Sequence, residues 1–116
     1  MLVEFTLDGQ RFQALNGGPQ FQFSEAVSFS VPCADHAEVD RYWDALTAGG
    51  GTAGPCGWLK DRFGVSWQIV PLSLGRMQKD GSPEQIQRMM GALMRMSKLD
   101  VAALEAAYAG EGAVRQ

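Results

Sequence analysis

The chain opens on alternation. Leu2, Val3, Phe5 and Leu7 stand against Glu4 and Thr6, and this period of about two predicts a strand. Asp8-Gly9 follows and predicts a tight hairpin turn, because glycine takes the positive φ such a turn needs. A second strand is expected from Arg11 to Leu15, ended by Asn16-Gly17-Gly18-Pro19. Gln20 to Glu25 reads as a polar and aromatic connector, with Phe21 and Phe23 expected to cover the edge of the core. Ala26 to Val31 alternates again. Val27, Phe29 and Val31 fall on one face, and Ser28 and Ser30 on the other, where small hydroxyls leave room.

Helical spacing then takes over. Asp35 is placed to cap a helix and Glu38, three residues on, to complete a capping box. Val39, Tyr42, Trp43 and Leu46 make one apolar stripe, and Gly49-Gly50-Gly51 stops the helix with a left-handed cap. Thr52 to Leu59 and Val65 to Val70 predict two or three short strands broken at Pro55. Strand, helix, then strands is the order of a βαβββ module lacking one clear strand. From Ser82-Pro83-Glu84 the pattern is helical again, with serine as cap and proline in the first turn. Ile86, Met89, Met90, Leu93, Met94 and Met96 mark its buried side, covering the sheet or a subunit contact. A last helix runs from about Asp100 to Tyr108 and ends at Gly110, after which Glu111 to Gln116 is expected to fray.

The segment Cys56 to Pro71 reads as strand, polar turn, strand, and it has an earlier echo. Gly9-Gln10-Arg11-Phe12-Gln13-Ala14-Leu15 matches Gly64-Val65-Ser66-Trp67-Gln68-Ile69-Val70: glycine, two variable residues, an aromatic, a glutamine, two apolar residues. The copies lie too far apart for a solenoid, so two related β-rich modules in tandem are the simplest account. Gln13 and Gln68 then occupy matching places, expected on the pocket side, with Phe12, Trp67 and Ile69 facing helices.

Composition removes several classes of function. The 116 residues are 46% hydrophobic, as in one ordinary globular domain. A formal charge of −3 and no cluster of Lys and Arg argue against nucleic acid. No apolar run is long enough to span a bilayer, and a cytoplasmic location is the expectation. Cys33 and Cys56 read as reduced thiols rather than a bridge. The lone histidine, His36, reads as a solvated first-turn residue.

Ala14 to Pro19, Cys56 to Asp61, Phe63 to Pro71 and Met96 to Leu104 resemble the PhnB-like branch of the vicinal oxygen chelate (glyoxalase/bleomycin-resistance) superfamily. Its members often bear the inherited name 3-demethylubiquinone 3-methyltransferase. The resemblance covers nearly the whole chain and implies an α+β, glyoxalase-like fold of paired βαβββ modules, usually dimeric. One domain over residues 1–116 is expected: 1–19 closing a truncated first module, 26–71 forming the second, and 82–110 the C-terminal helices. Family members carry a strand, a helix and another strand before the segment that here starts at Met1. Either the chain is a fragment or a partner chain supplies the edge, and a homodimer is expected.

In metal-using members of that superfamily four ligands come from the first and last strands of the modules. The resemblance puts these positions on Gln13, Gln68 and Ala26 or Ser28. Neutral amide oxygens alone hold a transition ion poorly, so no metal and no cofactor is expected. Two glutamines can instead orient a polar small molecule, or satisfy one another and buried backbone. Trp58 could wall the cavity or belong to the core. The leading expectation is a metal-free protein binding a small polar molecule through Gln13, Ser28, Ser30, Trp58 and Gln68. Against it stand a metal-dependent lyase, isomerase or dioxygenase, and the methyltransferase of the inherited name. Whether the chain is catalytic stays open. Gly49-Gly50-Gly51 follows a helix, unlike the glycine-rich loop that cradles S-adenosylmethionine, and no Ser-His-Asp or Cys-His set can be assembled.

Overall fold

The computed structural model describes residues 1–110, and the expectation for Glu111 to Gln116 lies outside them. Six strands and four helices follow one another as β1 (Leu2–Leu7), β2 (Gln10–Leu15), β3 (Phe29–Cys33), α1 (His36–Thr47), β4 (Thr52–Ala53), β5 (Trp58–Lys60), β6 (Ser66–Pro71), α2 (Leu72–Asp80), α3 (Pro83–Leu93) and α4 (Val101–Ala109). The fold is α+β, with two sheets.

β1 and β2 form the hairpin that Asp8-Gly9 predicts. Both turn residues have positive φ, 49° and 79°, as a two-residue turn matched to strand twist requires. The second sheet has the order β3-β6-β5-β4, with β3 parallel to β6 and the other pairs antiparallel. This is a complete βαβββ module. The strand that seemed missing is β4, only two residues long, too short for alternation to register.

α1 lies on one face of this sheet. Asp35 accepts the Glu38 amide at 2.9 Å, while Glu38 reaches back to the Ala34 amide at 2.8 Å, one residue before the position a capping box would give. Val39 and Trp43 pack with Cys33, Leu59 and Ile69 into a sealed core, flanked by Tyr42, Leu46 and Trp67. The stop after α1 depends on Gly51 more than on its neighbours' freedom. A Cβ there would sit 2.7 Å from Thr47 Cα and 2.8 Å from the Lys60 carbonyl, so only glycine lets α1 end against β5.

A second core unites Leu74, Met89, Leu93, Leu99 and Leu104 from α2, α3, α4 and the α3–α4 connection, with Val70 and Cys56 of the sheet module against it. Ser82 and Gln85 form a full capping box. Arg88 closes α4 by donating to the Ala107 and Tyr108 carbonyls at 3.0 and 2.9 Å.

The structure departs from these expectations in five places. Ala26 to Val31 does not start as strand: β3 begins at Phe29 because the bonds to β6 run from Phe29 to Cys33. α2 was not foreseen, since its nine residues follow β6 without a break or a capping side chain. Phe21 and Phe23 do not cover the core; they are 93% and 66% exposed. Phe12 faces no helix but stacks on Phe5 and meets Phe29 edge-on, continuing to Trp67 as an aromatic row. His36 is half-buried rather than solvated, its Nδ1 accepting the Val101 amide at 3.4 Å.

Candidate functional site

Period-two geometry divides the four-stranded sheet. Leu59, Trp67 and Ile69 face α1, so the residues alternating with them face the other way. Across the sheet Thr52 pairs with Lys60 and Lys60 with Ser66, while Trp58 pairs with Gln68 and Gln68 with Ser30. Two rows therefore lie on the face opposite α1: Thr52-Lys60-Ser66 and Trp58-Gln68-Ser30.

A cavity of about 560 Å³ opens on the first row, lined by Thr52, Trp58, Lys60, Ser66, Glu25 and the 53–56 loop. That is within the size range of small-molecule sites. Its walls are largely apolar, with one cation and one carboxylate. Lys60 Nζ lies 3.1 Å from Glu25 Oε1, and the hydrogen bond from Lys60 holds the exposed Glu25 carboxyl below its usual range. A neighbouring cavity of about 330 Å³ is lined by Gln22, Phe23, Ser24, Val27, Phe29, Val65 and again Ser66. The 22–27 connector thus lies beside both.

The rim is braced from the C-terminal helices. Cys56 and Gly57 donate their amides to the Met96 and Ser97 carbonyls at 2.8 Å, and the Ser97 hydroxyl donates to the Gly54 carbonyl at 2.6 Å. Cys56 itself has φ 59° and Gly57 φ 86°. The opposite side of the hairpin is closed by Asp61, whose Oδ1 accepts the Phe63 and Val65 amides and whose Oδ2 accepts the Trp67 indole N–H. Burial raises the Cys33 thiol pKa on the α1 side of the sheet.

The expected site residues are dispersed. Trp58 lines the larger cavity. Gln68 is half-buried and its Nε2 donates to the Ser28 hydroxyl at 2.9 Å, so these two satisfy each other. Ser30 is exposed on β3. Gln13 stands on the other sheet, opposite Glu4, and is exposed. Sequence reasoning missed Lys60 and Ser66. Their signal was present, since alternation from Trp58 and Gln68 puts both on the same face, but a lone lysine beside a polar turn and a lone serine carry no mark of a site.

A metal fits poorly. The positions that the resemblance implies, Gln13, Gln68 and Ala26 or Ser28, offer two amides and at most one hydroxyl, where a transition ion wants imidazole, thiolate or carboxylate. Among the described residues no group of three or more His, Cys, Asp or Glu could hold an ion.

The family model for 3-demethylubiquinone-9 3-methyltransferase matches residues 1–70. The chain belongs to this PhnB-like family. A PhnB protein from Bacillus cereus, described as a candidate 3-demethylubiquinone-9 3-methyltransferase, is 30% identical with a TM-score of 0.53, over 61% of this chain and 64% of that one. Protein PA1353 from Pseudomonas aeruginosa is 21% identical with a TM-score of 0.49, over 61% of this chain and 62% of that one. The PhnB-like chain therefore spans about 64% of the length of its Bacillus cereus relative. Among curated proteins none matches.

Proposed function

We infer that this PhnB-like protein binds a small molecule, without a metal, on the sheet face opposite α1. The observation that carries the reading is the cavity of about 560 Å³ walled by Trp58, on a face with too few ligating side chains for an ion. Vicinal oxygen chelate chemistry would need ligands that Gln13, Ser28 and Gln68 do not supply. The methyltransferase of the family name would need a cofactor cradle, and Gly49-Gly50-Gly51 serves instead to end α1.

Ligand-observed NMR against a library of small polar and aromatic compounds tests this directly. Hits lost in Trp58→Ala support it. No hit at millimolar concentration refutes it. S-adenosylmethionine in excess is expected to leave thermal stability unchanged, since a ligand selective for the folded state must raise it. One tight equivalent of Ni²⁺, Mn²⁺ or Fe²⁺, lost in Gln68→Ala, would favour the metal-dependent lyase, isomerase or dioxygenase.

The same reading makes the protein a homodimer. Leu2, Val3, Phe5, Leu7 and Leu15 are 41–74% exposed on a two-stranded sheet, and such a sheet is marginal without cover. The radius of gyration, 16.9 Å, exceeds the roughly 13 Å of a compact domain this size, which supports a second copy packing on the hairpin. Sedimentation showing a monomer at micromolar concentration would refute it. Among the described residues no helix is long and apolar enough to cross a membrane. Cytoplasmic placement belongs to the proposal, supported by two free thiols.

A further inference from the structure

We propose that the larger cavity is a receptor for a small organic carboxylate with an apolar body, and that Glu25 fills its anion subsite in the free protein. The proposal rests on the reading of this cavity as a ligand site and names the ligand class.

Three observations carry it. Thr52, Lys60 and Ser66 are successive register partners across β4, β5 and β6, which sets a hydroxyl, an ammonium and a hydroxyl side by side on one face. That row offers donors from three strands of a braced sheet, the arrangement that grips a carboxylate. Trp58, one row away on the same face, supplies the apolar wall with Ala53, Pro55 and Cys56.

Ser66 is the second. Its residue is only 2% exposed and it lines both cavities. The hydroxyls of Ser28, Ser82 and Ser97 are engaged by side-chain hydrogen bonds, whereas the Ser66 hydroxyl meets no such partner among the described residues. Among the described residues no fully buried side-chain nitrogen or oxygen lacks a partner, so the Ser66 hydroxyl is open to the cavities it lines and can donate to an oxygen of a bound ligand.

Glu25 is the third. The group on Lys60 is already a carboxylate, delivered by an exposed connector rather than by a strand, with its side chain 67% exposed. An ion pair of this kind contributes little to stability. A ligand carboxylate can therefore take the Lys60 contact while Glu25 returns to water. One cation at the subsite suits a monoanion, and a neutral ligand would leave Lys60 with Glu25.

Isothermal titration of the full chain with phenylacetate and with its neutral isostere phenylacetamide tests the proposal. Phenylacetate is expected to bind at least about tenfold tighter, through charge-assisted contacts the amide cannot make. Lys60→Met should remove that advantage and Ser66→Ala reduce it. Glu25→Gln should tighten phenylacetate by about two- to fivefold by removing the internal competitor, and leave phenylacetamide unchanged. Lys60 and Glu25 are both exposed, and circular dichroism checks that their variants stay folded. Equal binding of acid and amide, both lost in Trp58→Ala, would overturn the carboxylate assignment and keep the cavity as a ligand site. Binding of neither compound by folded protein, with no library hit either, would overturn both. Acid binding that Glu25→Gln fails to tighten would overturn the role given to Glu25.

Discussion

Removing the Asp61 side chain should loosen the hairpin that presents Trp58, Lys60 and Ser66. Its two oxygens hold three donors: the Phe63 amide at 2.9 Å, the Val65 amide at 3.0 Å and the Trp67 indole at 2.9 Å. Phe63 is exposed and its amide can return to water, whereas Val65 and Trp67 are half-buried. Taking about 1 kcal/mol for the amide that rehydrates and somewhat more for each of the others, Asp61→Ala should cost about 2–4 kcal/mol. Asp61→Asn keeps one acceptor for the two amides but turns an NH₂ toward the indole N–H, and should cost about half as much. Urea denaturation followed by far-ultraviolet circular dichroism reads the difference without relying on Trp67 itself. With a slope of about 1–3 kcal/mol per molar urea, the Ala midpoint should fall by roughly 1–3 M. The backbone bonds from the Asp61 amide to the Val65 carbonyl and from the Gly64 amide to the Asp61 carbonyl remain in both variants, so they do not mask the effect. An Ala variant within about 0.5 kcal/mol of the parent, or an Asn variant worse than Ala, would refute the reasoning.

Ile69→Ala should cost about 2–5 kcal/mol by calorimetry or denaturant titration, because Ile69 is sealed between β6 and α1; a loss under about 1 kcal/mol would mean that this core collapses around the gap. Gly57→Ala must place a Cβ 3.1 Å from Leu99 and 3.2 Å from the Ile69 carbonyl at φ +86°, so it should destabilise by more than about 1 kcal/mol and weaken ligand binding at the adjoining rim. Lys98 holds the Asp40 carboxyl below its usual range, and Asp40 raises the Lys98 ammonium. The Asp40 contribution is complete above its unfolded pKa and lost as pH falls through the lowered folded value; that of Lys98 is complete below its unfolded pKa and lost as pH rises through the raised one. Because the pair is only half-buried the effect should be small and suppressed by salt, and Asp40→Asn should flatten both limbs of a stability–pH curve measured at low ionic strength.

Local rules carried much of this architecture. Asp8-Gly9 announced its hairpin because few residue pairs accept two positive φ values. Asp35, Ser82 and Gly110 marked helix ends because their chemistry acts within one turn. The stripe Val39-Tyr42-Trp43-Leu46 showed the buried face of α1 before any partner was known. The echo between Gly9-Leu15 and Gly64-Val70 reappears as two hairpins whose second strands carry Gln13 and Gln68.

Where those side chains meet was a matter of packing. Gln13 and Gln68 hold equivalent places in their hairpins yet lie on different sheets, because equivalence along a chain does not specify how two sheets approach. Phe21 and Phe23 are apolar, but burial needs a surface to bury against, and the connector meets none large enough. β4 was left open and α2 escaped notice for a similar reason: two residues cannot show alternation, and a helix joined directly to a strand has no turn to announce it. The row Thr52-Lys60-Ser66 is set by hydrogen-bond register between three strands, which alternation within any one of them does not specify. Caps, turns and faces are short-range properties that side-chain chemistry imposes on its own neighbourhood. Cavities and donor rows are long-range ones, created only when β5 and β6 pair in a particular register and the C-terminal helices brace their rim.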